Sequence, residues 1–137
     1  MMSENENRFD VKVRSRGFTG YCGLEFDEIG RDRCVIRCPM RPELLNPAGI
    51  AHGGLIATLT DVAAGSMALA ADGNARSIVT QSCSIHYLSP GTGNVLKAEA
   101  RVLRKGNRVC VVQVDCFSAD GTLSAVATYE VAYLGSR

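Results

Sequence analysis

The spacing of apolar residues along the chain predicts one long helix and about six strands. Between the glycines at 53 and 54 and the sequence Asp72-Gly73-Asn74, apolar residues recur near a 3.6-residue period, which is typical of a helix with a defined end. Apolar and polar residues alternate instead in four later runs, at 76–88, 94–104, 108–118 and 122–134, as they do in strands. Turn sequences rich in Gly, Pro, Asn and Asp separate these runs.

Two shorter apolar runs precede the helix, at 24–29 and 33–40, and Gly30-Arg31-Asp32 between them predicts a hairpin turn. The predicted fold class is therefore α+β, with a largely antiparallel sheet of about six strands wrapped around one long apolar helix. A chain of 137 residues is long enough to bury one core, and it contains no internal repeat. We divide it into an N-terminal arm or short helix at 1–16 and a single domain at 17–137.

Composition and charge argue against several classes of function. The net charge of +1 lacks the basic excess expected of a nonspecific nucleic-acid-binding protein. Because no apolar segment follows the first methionine and no run reaches about 20 apolar residues, we expect a cytoplasmic protein without membrane insertion. The six cysteines form no C-x-x-C pair and the two histidines lack zinc-ligand spacing. We therefore interpret the cysteines as reduced core residues and predict no metal and no cofactor.

The segment 46–61, NPAGIAHGGLIATLTD, contains most of the candidate chemistry. Asp61 is a carboxylate inside an apolar helix, where it is either bonded to a loop backbone or positioned to react with a bound electrophile. Residues three, four and seven positions from Asp61 share its helical stripe. They have small side chains, which leaves room for a ligand: Gly54, Ala57, Thr58, Gly65 and Ala68.

The residues before the helix supply hydrogen-bonding groups. The first helical N–H groups lack acceptors within the helix, so the Gly53 N–H can polarise a carbonyl oxygen. The Asn46 amide can hold water or a carbonyl, and His52 is interpreted as a residue that fixes the loop rather than one that transfers a proton. The alternative is a Pro-Gly turn followed by a helix-capping histidine, and the sequence leaves both interpretations open.

The order and spacing of six residues in this segment resemble the active-site motif of hotdog-fold acyl-CoA thioesterases, in particular the PaaI-like branch: Asn46, Gly49, His52, Gly53, Gly54 and Asp61. The resemblance implies that Asp61 is the nucleophile or general base and that the Gly53 N–H polarises the thioester carbonyl. It further implies that Asn46 places the water or the carbonyl, that His52 braces the loop and that Thr80 assists the water.

The same resemblance implies an acyl-CoA substrate and a homodimer in which the carboxylate of one subunit faces the loop of the other, with dimers assembling to a tetramer. The acyl group is expected near Gly54, Thr58 and Gly65. The phosphates of coenzyme A are expected near Arg104 and Arg108, at a charged turn that is alternatively an ordinary solvated hairpin.

The predicted function is hydrolysis of an aromatic or medium-chain acyl-CoA to the free acid and coenzyme A. A noncatalytic module that binds or senses acyl-CoA with the same pocket is the alternative. A hotdog dehydratase is disfavoured, because its catalytic Asp precedes the His by a few residues and no Asp lies between Asp32 and His52 here.

Overall fold

The computed structural model describes residues 9–73 and 76–135. Two short helices come first, and a longer helix lies between the second and third strands. In chain order the elements are α1 (Val11–Arg14), α2 (Phe18–Cys22), β1 (Glu25–Ile29), β2 (Cys34–Pro39), a 3-10 turn (Pro42–Leu44), α3 (Gly53–Ala71), β3 (Ser77–Tyr87), β4 (Val95–Lys105), β5 (Val109–Phe117) and β6 (Leu123–Leu134).

The strands form one six-stranded antiparallel sheet in the order β1-β2-β4-β5-β6-β3. The predicted α+β fold with six strands around one long helix is confirmed, and every strand begins and ends within one residue of its predicted run. The predicted and observed strands agree because only one face of the sheet is packed against the core. Along β5, buried residues alternate with half-buried ones from Val109 to Phe117, so the sequence pattern records the sheet directly.

Helix α3 is the core helix of the domain. By length and composition it is apolar enough to cross a membrane, yet 61% of it is buried inside the fold. Leu59, Ala63 and Met67 are fully buried and belong to the same core as Ile36 and Val114 of the sheet. The helix ends at Ala71, and Asp72 caps it. Of the predicted stop sequence, Asn74 lies outside the described residues.

A buried ion cluster fixes the C-terminal end of α3. The Asp72 carboxylate is fully buried and accepts hydrogen bonds from Arg76 Nε at 3.3 Å and Nη2 at 3.0 Å. Lys105 Nζ lies 3.4 Å from the same carboxylate. A negative charge at a helix C-terminus is unfavourable, so these cations compensate for it. Lys105, one of the charged residues at the β4–β5 turn, therefore has a structural partner.

The cysteines are all free, and five of the six are buried. Burial raises the pKa of the Cys34 and Cys38 thiols to about 11 and that of Cys116 to about 12, so these thiols stay protonated and unreactive. Cys83 is exposed on β3. The interpretation of all six as core residues is therefore wrong for Cys83, because β3 lies at the edge of the sheet.

Tyr129 of β6 joins the sheet to α3 through Thr60, the residue that precedes Asp61. Its hydroxyl lies 2.8 Å from Thr60 Oγ1 and donates to the Ala57 carbonyl at 3.1 Å, and only 1% of the residue is exposed. Water cannot replace these bonds, so we expect Tyr129→Phe to lower the free energy of unfolding by about 1–2 kcal/mol in urea denaturation. Tyr21→Phe, at an exposed position, is the matched control. An equal shift in both variants contradicts this role.

Candidate active site

Asp61 lies in the middle of α3 and reaches across to the edge strand. Thr80 Oγ1 of β3 donates a hydrogen bond of 2.6 Å to Asp61 Oδ1. The second oxygen, Oδ2, has no hydrogen-bond donor among the described residues and the residue is half-buried. One carboxylate oxygen is thus held in place, while the other has no donor among the described residues. The structure brings together Asp61 and Thr80, which the family resemblance assigned to one site.

A cavity of about 220 Å³ opens beside the Asp61 carboxylate, between α3, β3 and the N-terminal segment. Helix α3 contributes Asp61, Gly65 and Leu69 to its wall, and β3 contributes Ile78 and Thr80. A Cβ at position 65 would lie 3.1 Å from Ile78 Cδ1, so glycine allows the helix and β3 to approach each other here. The predicted substrate residue Gly65 therefore lies in the same cavity as Asp61.

The small-residue stripe around Asp61 is only partly open. Ala57 and Thr58 are half-buried, but Gly65 is buried under Ile78 and Ala68 is fully buried. β3 and the core cover the second half of the stripe, where Gly65 still lines the cavity beside Asp61. Thr58 Oγ1 donates to the Gly54 carbonyl at 2.8 Å, and neither residue lines the cavity beside Asp61.

The first turn of α3 carries the predicted oxyanion site. Gly53 begins the helix, and its N–H has no acceptor among residues 9–73 and 76–135. His52 caps the helix, since its Nδ1 accepts the Gly54 N–H at 2.9 Å. A neutral His52 that accepts at Nδ1 has its proton on Nε2. The capping contact anchors the loop to the helix, and a role of His52 in catalysis stays a prediction.

The Asn46 side chain holds the loop that leads to α3. Its Oδ1 accepts from Ala48 N at 2.9 Å and from Ile50 N at 3.3 Å. The loop folds back further through the Asn46 N–H, which donates to the Ile50 carbonyl at 2.8 Å. The amide oxygen is thus engaged with the backbone. Only the side-chain NH2 group of Asn46 is left to contact a carbonyl or water, which narrows the role that the sequence predicts for it.

Tyr87, at the end of β3, belongs to this region although the sequence analysis assigned no role to it. Its hydroxyl donates to the Gly53 carbonyl at 3.1 Å, and its ring lies 3.6 Å from where a Gly53 Cβ would stand. Tyr87, Gly53 and Asn46 line a second cavity, of about 400 Å³. In the sequence, Tyr87 stands only near the end of the run at 76–88, and its contact with Gly53 depends on how β3 lies against the helix.

Asp61 and Gly53 do not meet within one protomer. They are eight positions apart on one helix, which places them about 12 Å apart along its axis at about 1.5 Å per residue. They also line different cavities. A carbonyl held at the Gly53 N–H is therefore out of reach of the Asp61 carboxylate of the same chain. A site that uses both groups needs a second copy of the chain.

The predicted phosphate-binding residues lie at the opposite end of α3 from Gly53. Arg104 and Arg108 are exposed at the β4–β5 turn, beside the ion pair of Lys105 with Asp72. Neither arginine lines the cavity beside Asp61 or the one beside Gly53. In the part of the chain that the structure describes, no group of three or more His, Cys, Asp and Glu side chains is placed to hold a metal ion.

Thr80→Val tests the contact between β3 and the Asp61 carboxylate. Valine keeps the shape of threonine but cannot donate, so Asp61 loses the bond that fixes its orientation. We expect kcat to fall about tenfold, with little change in KM, as the loss of one hydrogen bond to a charged group implies. Thr80→Ser keeps the hydroxyl and should restore most of the rate. Equal rates for the valine and serine variants contradict the assignment.

Comparison with known proteins identifies the family of the chain. The model of the thioesterase superfamily matches residues 48–125. The medium/long-chain acyl-CoA thioesterase YigI of Salmonella typhimurium is 33% identical over 131 residues, covering 83% of this chain and 84% of the relative. Among solved structures, a hypothetical thioesterase from Streptococcus pneumoniae with coenzyme A is 28% identical, with a TM-score of 0.75 and coverage of 84% and 88%. Escherichia coli PaaI shares the fold at a TM-score of 0.86, with 18% identity and coverage of 96% and 94%.

A six-stranded antiparallel sheet wrapped around one long helix is the hotdog fold, which Escherichia coli PaaI shares, and the family match places the chain in the class of thioester hydrolases. The chain belongs to the thioesterase superfamily. The family resemblance that the motif in segment 46–61 indicated is confirmed, and the protein is a thioester hydrolase.

Proposed function

We propose that the protein hydrolyses acyl-CoA thioesters to a free acid and coenzyme A. The observation that carries the proposal is the Asp61 carboxylate, held by Thr80 at 2.6 Å in the wall of a cavity large enough for an acyl group. Two relatives support coenzyme A as the thiol half of the substrate. One is named as a medium/long-chain acyl-CoA thioesterase, and the other was solved with coenzyme A.

In the proposed mechanism the acyl group enters the cavity beside Asp61, and the thioester carbonyl oxygen accepts the Gly53 N–H of a second copy. The positive end of the helix dipole then stabilises the negative charge that develops on this oxygen. Asp61 either attacks the carbonyl carbon, forming an anhydride that water cleaves, or takes a proton from the water that attacks. Both routes expel the coenzyme A thiolate, which is then protonated, and release the acid.

The second copy is proposed to join through β3. This strand has 11 residues and pairs only with β6, so among the described strands its outer edge is unpaired. Val79 is 48% exposed on it, and a long edge strand without a partner favours association. Antiparallel pairing of two β3 strands continues the sheet and brings the open side of α3, with Ala57 and Asp61, towards the other chain. Two such dimers would form the expected tetramer.

The size of the cavity limits the acyl group. A cavity of about 150 Å³ holds benzene, so 220 Å³ accommodates one aromatic ring with a short linker, or a short to medium alkyl chain. We propose an aromatic or medium-chain acyl group on this basis. The adenosine phosphates are proposed to lie near Arg104 and Arg108, which are exposed cations at the surface.

Release of free thiol from a panel of aromatic and straight-chain acyl-CoAs tests the proposal. We expect the wild-type protein to release coenzyme A from at least one class, and the panel to show which acyl groups fit. Binding of acyl-CoA without any release of thiol contradicts hydrolysis and favours a noncatalytic binding or sensing module. Calorimetry with the same esters measures that binding independently of turnover.

A further inference from the structure

The N-terminal segment contributes a cation to the cavity beside Asp61. Arg14, the last residue of α1, lines this cavity together with Asp61 and Thr80. Its Nε is fully enclosed and has no hydrogen-bond acceptor among the described residues. Nor is any described carboxylate within 4 Å of its guanidinium. The residue as a whole is half-buried at the cavity wall, so its guanidinium, which has no carboxylate partner among the described residues, can pair with an anionic group of a ligand in the cavity.

The position of Arg14 is set by contacts of the segment around it. Asp10 Oδ1 accepts the Lys12 N–H at 2.9 Å and caps α1, and the Arg14 N–H donates to the Asp10 carbonyl at 2.9 Å. The Phe9 ring packs edge-on against Phe26 of β1, with ring centroids 5.3 Å apart. The segment is therefore docked on the sheet, and the guanidinium is held at the wall of the cavity.

The rest of the cavity shows which kind of ligand fits. Val13, Phe26, Leu69 and Ile78 give its wall an apolar character suited to methylene groups. A guanidinium forms bidentate hydrogen bonds with carboxylate and phosphate groups, and a carboxylate is the anion that an acyl chain can carry. Such a group on the substrate has to keep its distance from the Asp61 carboxylate, because like charges repel. It therefore belongs at the end of the acyl chain that lies away from the thioester.

We propose that Arg14 determines acyl specificity and that the protein prefers acyl groups that end in a carboxylate, the mono-thioesters of dicarboxylic acids. The inference rests on the proposed function, since it names the substrate class for the same site. In this arrangement the methylene groups line the apolar wall, the distal carboxylate accepts from Arg14, and the thioester carbon lies at Asp61.

Two esters of equal chain length test the proposal, adipoyl-CoA and hexanoyl-CoA, which differ only in the terminal carboxylate. We expect the wild-type protein to have the higher kcat/KM for adipoyl-CoA. In Arg14→Met, which keeps a long side chain without charge, the ratio of the two values should fall about 10- to 100-fold through KM for adipoyl-CoA. Arg14→Lys should retain part of the preference, and Arg16→Met, at an exposed position of the same segment, should leave it unchanged. A ratio that is the same in the wild type and Arg14→Met overturns the proposal.

Equilibrium binding separates this inference from the function on which it rests. In an Asp61→Asn background, calorimetry should show the same preference for adipoyl-CoA, and Arg14→Met in that background should remove it. If the protein hydrolyses hexanoyl-CoA, and Arg14→Met leaves the ratio of kcat/KM for adipoyl-CoA to that for hexanoyl-CoA unchanged, the inference is overturned. The thioesterase function then still stands. Binding preference that depends on Arg14, without hydrolysis of either ester by the wild type, supports the inference and contradicts the function.

Discussion

Asp61→Asn is expected to lower kcat for acyl-CoA hydrolysis about 10²- to 10⁴-fold while acyl-CoA still binds, as loss of a general base or nucleophile implies. Asparagine has the size of aspartate, and its side-chain oxygen can still accept the Thr80 hydroxyl that lies 2.6 Å away. The fold and the cavity are therefore retained. What is lost is the negative oxygen that, in the proposed mechanism, attacks the carbonyl carbon or deprotonates water. Steady-state thiol release measures the loss of turnover, and calorimetry on the same preparation measures whether acyl-CoA still binds.

The same chemical change at another carboxylate is the control. Asp115 of β5 is half-buried on the outer face of the sheet and accepts a hydrogen bond from Gln113 at 3.2 Å. Asp115→Asn should leave turnover within about twofold of the wild type, since surface substitutions away from a site have small effects. Near-normal turnover in Asp61→Asn contradicts the assignment of the catalytic carboxylate, whatever the behaviour of the control.

Val79→Lys is expected to convert the protein to monomers and to reduce turnover at least about 100-fold, the cost of losing one oxyanion donor. Val79 is 48% exposed on the edge strand β3, and lysine at such an edge opposes strand pairing. Without the second chain, the Asp61 carboxylate has no Gly53 N–H opposite it. Sedimentation velocity measures the change to monomers, and thiol release at the same protein concentration measures the loss of turnover.

Leu103→Lys is the matched control, because Leu103 is 49% exposed on the inner strand β4 rather than on the edge. It should stay at least dimeric and active. A Val79→Lys monomer that hydrolyses acyl-CoA at the wild-type rate contradicts the shared site. A dimer that persists in Val79→Lys contradicts the proposed pairing of two β3 strands.

The fold was largely predictable because its pattern is local. In β5 every second residue from Cys110 to Cys116 is buried, and this alternation is visible in the sequence alone. Helix α3 was equally visible from its period and from its glycine start. Cys83 shows the limit, since a strand pattern does not tell which strand lies at the edge of the sheet.

The residues of the candidate site were predictable only if they belong to the motif at 46–61 or if the family resemblance implies them. Asp61 and Thr80 were both named, and they are in contact. Tyr87 was not, because its bond to Gly53 joins residues 34 positions apart and depends on tertiary packing. Arg14 was not, because α1 has four residues and shows no period, and the Phe9–Phe26 contact that docks it is visible only in the structure.

Mixing two inactive variants tests the central claim, a hydrolytic site that combines Asp61 of one chain with Gly53 of another. Gly53→Val obstructs the approach of the carbonyl, and its Cβ would stand 3.6 Å from the Tyr87 ring, an ordinary contact that allows folding. Subunits with Asp61→Asn and with Gly53→Val are unfolded together, refolded and assayed for thiol release. Random pairing gives about half heterodimers with one intact site each, so we predict about one quarter of the wild-type activity. Activity no higher than that of either variant alone contradicts the account.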